Sequence, residues 1–169
     1  MPDDVRTPEG VATGRPVGTV DPIQELSGYF FEDLEVGMTA AYARTIGPAD
    51  LVMFAGISGD TNPMHLNEEY ASATMFEGTI AHGMLSASFI STVVGTRLPG
   101  PGCIYVNQSL KFRAPVRPGD TVTARATVQE IIPERDRVIL RTVCTVGSTV
   151  VIDGEAVVQV PRRARRAAE

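Results

Sequence analysis

The chain has no tryptophan, two cysteines, two histidines and a single lysine, Lys111, among 169 residues. Each shortage excludes something. Cys103 and Cys144 stand alone in strand-like contexts, with no CxxC pair and no Cys/His cluster. Neither a zinc site nor a disulfide framework is supported, and both read as buried structural thiols. No apolar run approaches the roughly 20 residues of a membrane span. The opening Met1-Pro2-Asp3-Asp4 also lacks the charged-then-apolar design of a secretory signal, so the expected location is the cytoplasm. A formal net charge of −5 argues against general nucleic-acid binding. The one basic run, Arg162-Arg163-Ala164-Arg165-Arg166, reads as a solvated tail.

What is present fits one domain. A hydrophobic content of 43% over this length supports a single well-buried core. Residues 1–27, rich in Pro, Gly, Asp and Thr without apolar period, read as a flexible N-terminal arm. Residues 28–161 read as the folded domain and 162–169 as a basic C-terminal tail. Within the domain a strand is expected at about 39–46, followed by a short helix opened by Gly47-Pro48 and closed at Ser58-Gly59. Asn67, with Glu68 and Glu69 after it, has the form of a cap and acidic first turn. The run Met84 to Val94 is apolar almost all round, which predicts a helix buried on all sides. Ile104–Phe112, Asp120–Ile132, Arg137–Val146 and Thr149–Val160 are β-branched runs separated by turn residues. One strand, helices and then a meander describe an α+β domain: an antiparallel sheet wrapped around one central buried helix.

The two histidines sit in Asp60-Thr61-Asn62-Pro63-Met64-His65 and Ala81-His82-Gly83-Met84. The first segment places a carboxylate and an imidazole in one turn stiffened by Pro63, where both can address a single water. Asn62 can donate and accept, which suits it to orient a neighbour. The ordinary alternatives are a turn carboxylate bonded to its own backbone and a structural histidine. In the second segment Gly83 opens the apolar helix, so its N–H is not committed to an intrahelical bond and the helix dipole adds partial positive charge. That is the form of an oxyanion hole, although a glycine there also permits close packing. His82 reads as a residue that shapes the turn.

Asp60-x-Asn62-Pro63-x-His65, Ala81-His82-Gly83-Met84-Leu85, Ile104-Tyr105 and Lys111-Phe112-x-x-Pro115-Val116-x-x-Gly119-Asp120 together resemble the MaoC-like (R)-specific enoyl-CoA hydratases of the hot-dog fold. The resemblance spans about residues 28–161. It implies a homodimer whose sheets join edge to edge, with the central helix at about 83–96. It further implies that Asp60 and His65 activate the water added to a trans-2-enoyl thioester and that Asn62 supports His65. The Gly83 amide would hold the thioester oxygen, and Ser91, Val94 and Val157 would line the acyl pocket. The acyl-CoA is the substrate, and the chemistry needs no metal or redox cofactor. Arg97, Lys111 and Arg113 are the candidates to flank the tunnel mouth and meet the coenzyme A phosphates. Open alternatives are a 3-hydroxyacyl-ACP dehydratase, a mesaconyl-CoA-type hydratase, a thioesterase and a non-catalytic acyl-thioester-binding subunit. Polyester precursor supply, fatty-acid oxidation and dicarboxylic-acid assimilation all fit the chemistry.

Overall fold

The computed structural model describes residues 25–163. The expected flexible arm lies almost wholly outside the described residues, as does the end of the basic tail from residue 164. Five strands form one antiparallel sheet in the order β1-β3-β4-β5-β2. They are β1 (Thr39–Thr45), β2 (Ile104–Phe112), β3 (Thr121–Ile132), β4 (Arg137–Val146) and β5 (Thr149–Gln159). Four helices lie between β1 and β2: α1 (Pro48–Ser58), α2 (Pro63–Leu66), α3 (Glu68–Ser72) and α4 (Gly83–Thr96). Short 3-10 turns occupy Phe31–Asp33 and Pro133–Arg135.

Strand alternation sets the core. Val122, Ala124, Ala126 and Val128 of β3 and Val138, Leu140, Thr142 and Cys144 of β4 point inward at every second residue. Against them α4 lays Leu85, Phe89, Ile90, Val93 and Val94, packing on β1, β3 and β4. This is the sheet-around-helix arrangement expected of a hot-dog domain. The helix is nevertheless buried on one side only, a correction to the expectation of burial all round. Met84 is 56% exposed, and Ser88, Ser91 and Gly95 also face outward. One chain supplies one sheet, which can cover one face of the helix. The outward residues are small except for Met84.

Local signals explain the segment between β1 and α4. The Asp50 carboxylate accepts the Gly47 N–H at 2.8 Å over the first turn of α1, and Gly59, at φ 79°, ends that helix with its N–H on Ala55. Asn62 and Asn67 cap α2 and α3 through their side-chain oxygens, accepting from Met64 and Tyr70. The loop after α3 returns to the site because Glu68 accepts the Thr79 N–H at 3.0 Å, and that bond holds the Glu68 carboxyl below its ordinary range. Ala81 N–H then donates to Val116 at 2.7 Å, which delivers the chain to the start of α4.

At the other end of α4 the described chain termini meet. Phe31 N–H donates to Pro161 at 2.9 Å. Arg162 lies over the Phe31 ring and pairs with Asp136 and Glu32, while Arg163 pairs with Asp33 at 2.6 Å and covers Phe30. The first two arginines of the basic run are therefore docked to the domain while staying partly exposed, because acidic and aromatic partners from residues 30–33 lie beside them. Both cysteines are free, as expected. Cys144 is fully buried and burial pushes its thiol up to about 12, while Cys103 is half-buried and is also raised by burial.

Candidate active site

The hexapeptide and the start of α4 come together. A carboxylate oxygen of Asp60 and one ring nitrogen each of His65 and His82 lie within 4.8 Å of one another. The turn that presents Asp60 is held by its own backbone: Asp60 N–H donates to Ser58 Oγ and Asn62 N–H to Asp60 Oδ1, both at 3.2 Å. Asp60 is thus a turn carboxylate and a site carboxylate at once. Its Oδ2 has no partner among the described residues, and the residue is exposed.

His65 is oriented from behind. Its Nδ1–H donates to the Ile80 carbonyl at 2.8 Å, which leaves Nε2 as the ring atom free to work on a water or substrate. Its backbone N–H donates to the Asn62 carbonyl at 2.9 Å. Asn62 supports His65 by this backbone bond and by capping α2; its side-chain oxygen accepts from Met64 N–H at 3.1 Å and is not on the imidazole. The expected side-chain support is replaced by a cap because the following Pro63 starts the helix immediately.

His82 does more than shape the turn. It is 1% exposed, and its Nε2–H donates to the Asp60 backbone carbonyl at 3.0 Å. Its ring stacks on His65 with centroids 3.8 Å apart and 33° between planes, and Phe54 packs against it at 5.0 Å. Three potential metal ligands are close here, but stacked imidazoles direct their in-plane lone pairs side by side. An ion about 2.1 Å from a nitrogen of each ring needs converging lone pairs.

Gly83 is exposed and is the first residue of α4, so its N–H has no intrahelical acceptor. A β-carbon on it would sit 2.7 Å from the Phe112 ring at the end of β2. The glycine leaves its amide without an intrahelical acceptor and admits a neighbouring ring. Beside it opens a cavity of about 370 Å³ lined by His65, Gly83, Phe76, Ile80, Phe112 and Val151 among others. Ser86 also faces it, and its buried Oγ has no hydrogen-bond partner among the described residues.

The other expected positions divide. Arg113 lines the cavity, half exposed and 3.8 Å from Asp153. Lys111 lies instead in a groove on the outer sheet face with Arg141 and Glu155, because strand alternation turns it away from Phe112's side. Arg97 caps the far end of α4, about 20 Å along the axis from Gly83, where it donates to the Ala41 carbonyl and covers Tyr42. It does not flank this cavity. Ser91 is exposed, Val94 is fully buried and Val157 is half-buried; none of the three lines the cavity. Phe112, Phe76, Ile80 and Ser86 carried no role in the sequence reading. Only Phe112 had a signal, as part of the Lys111-Phe112 motif.

Comparisons with known proteins give the chain a family. The MaoC like domain model matches residues 32–151. An (R)-specific enoyl-CoA hydratase of Rhodospirillum rubrum is 62% identical over 80% of this chain and 94% of its own length. A 3-hydroxybutyryl-CoA dehydratase of Methylorubrum extorquens is 52% identical over 83% of this chain and 90% of its own. Among solved structures, an R-hydratase from Pseudomonas aeruginosa superposes with a TM-score of 0.77 at 40% identity, covering 85% of this chain and 95% of that one. With this match over most of its length, the chain belongs to the MaoC-like domain family.

Proposed function

We propose that this protein hydrates trans-2-enoyl-CoA to (R)-3-hydroxyacyl-CoA, and in reverse dehydrates it. It is thus read as a hydro-lyase. The observation that carries the reading is that His65 and Gly83 line one cavity while a carboxylate oxygen of Asp60 lies within 4.8 Å of a His65 ring nitrogen. The thioester oxygen accepts the Gly83 N–H, which stabilises negative charge as it develops on that oxygen. Asp60 takes one proton from water and the resulting hydroxide bonds to C3, moving the double-bond electrons toward the thioester. Asp60 hands that proton to His65 Nε2, the ring nitrogen left without hydrogen by the bond from Nδ1–H, and His65 delivers it to C2. The balance is one water added and both side chains restored. These residues carry the steps with no metal or redox group. Arg113, at the cavity and half exposed, is the basic group that meets the coenzyme A end.

The assembly that fits is a homodimer joined along β2. This edge strand is nine residues long with Ile104 61% and Phe112 54% exposed, an unprotected apolar edge of the kind proteins cover. Pairing β2 with its copy would extend the sheet and bring a second surface near Phe112 and the open face of α4. Analytical ultracentrifugation is expected to give a dimer, and a stable, active monomer would overturn this arrangement.

The function is tested by following loss of the enoyl-thioester absorbance with acyl-CoAs of increasing length and with the same acyl groups on acyl-carrier protein. Turnover of the CoA series, lost on Asp60→Asn, is expected. Turnover of the carrier-protein series alone would move the reading to a dehydratase of that carrier, and no turnover of either would overturn it.

A further inference from the structure

We propose that His82 is the positioning residue of this site, setting where the Asp60 carboxylate stands relative to both His65 and the Gly83 amide. The inference rests on the hydratase reading above and assigns a task to a residue outside its chemistry.

Asp60 has little else to fix it. It is exposed, and apart from bonds within its own turn to Ser58 and Asn62, its one hydrogen bond to the rest of the domain among the described residues is that from His82 Nε2–H to its backbone carbonyl. The donor is well suited to the task, being 1% exposed and packed against the rings of both His65 and Phe54. A ring packed in this way cannot swing to follow a wandering loop, so the loop is held to the ring. The same ring stacks on His65, so one side chain touches both members of the water-activating pair.

The tautomer follows from the contacts. A carbonyl only accepts, so the proton is on Nε2, while Nδ1 is buried with no partner among the described residues. His82 is also the residue immediately before Gly83, at the N-cap of α4. One rigid peptide unit therefore joins the ring that holds Asp60 to the amide proposed to hold the thioester. Relative placement of the attacking water and the thioester carbonyl is what such a link controls, and a misplacement near 1 Å can cost about 10²-fold in rate.

The test compares three variants on a four-carbon enoyl-CoA. His82→Phe keeps a ring against His65 and Phe54 but removes the donor; His82→Gln restores an N–H at the Nε2 position; His82→Asn ends short of it. His82→Phe and His82→Asn are expected to lose about 10²-fold in kcat with KM changed less than about threefold, while His82→Gln stays within about tenfold of the parent. A residue needed only for folding would lower the thermal midpoint without separating Gln from Asn. Equal kcat for Gln and Asn, or a loss confined to KM, overturns the proposal. Should His82→Phe fail to fold by circular dichroism, the Gln and Asn pair still decides. Imidazole nitrogen shifts of the unliganded protein provide a readout independent of turnover. The Nε2–H form of His82 is expected, and the Nδ1–H form overturns the bond to Asp60. A parent protein inactive on every enoyl thioester, with that tautomer present, is the distinct signature of a failed hydratase reading.

Discussion

At the C-terminal end of α4, Arg162 and Arg163 pair with Glu32, Asp33 and Asp136 and cover two phenylalanine rings, and Arg97 donates to Ala41 and covers Tyr42. At the N-terminal end, His82 Nδ1 and Ser86 Oγ are buried without partners, Asp60 Oδ2 is open and the first helix amide faces a cavity. Outside this end, the one other buried side-chain polar atom without a partner among the described residues is Arg137 Nε. Burying a polar group unpaired costs about 1–3 kcal/mol, so two such atoms within one helical turn mark a place where stability is not the selected quantity. The charged end closes the domain, and the unsatisfied end is free to bind.

Substitutions can break this contrast. The largest effect is expected at His65: His65→Gln keeps a polar side chain but cannot relay a proton, and kcat should fall about 10³-fold with the thermal midpoint nearly unchanged. Gly83→Ala comes next, with a loss of about 10²-fold, because a β-carbon 2.7 Å from the Phe112 ring must displace that ring and with it the approach to the amide. At the opposite end, Arg163→Ala should leave kcat unchanged and lower the thermal midpoint by a few degrees at most, since both partners are partly solvated. A loss of activity there would erase the distinction between the ends. The smallest effect is expected for Ser86→Ala. Deleting a buried hydroxyl that has no partner should leave stability unchanged or raise it by about 1 kcal/mol. A marked destabilisation would mean that the hydroxyl is satisfied after all.

Much of this contrast was legible from residue order because its signals are local. Gly47-Pro48, Gly59, Asn62-Pro63 and Asn67 punctuate the helices where the structure has them, and the β-branched runs lie at the strands. Asp60, His65 and Gly83 were legible as candidates because a stiff turn and a bare helix start each announce a chemical capacity. The contacts that complete the site were not. His82 meets the Asp60 carbonyl across 22 positions, and Phe112 meets Gly83 from a strand 29 positions on. Such pairs depend on how the sheet closes over the helix. Arg97 was assigned to the mouth from nearness in sequence, and the length of α4 carries it to the other end. The outward face of α4 was hidden for a different reason: Ser88 and Ser91 read as small interruptions of an apolar run, when they are part of a surface.

The most direct test of the central claim is the configuration at C3 of the alcohol formed from crotonyl-CoA by the purified protein, resolved by chiral chromatography. Hydration at the α4 N-terminus by Asp60 and His65 predicts (R)-3-hydroxybutyryl-CoA. An (S) product, or an (R) product formed at full rate by Asp60→Asn, would contradict it.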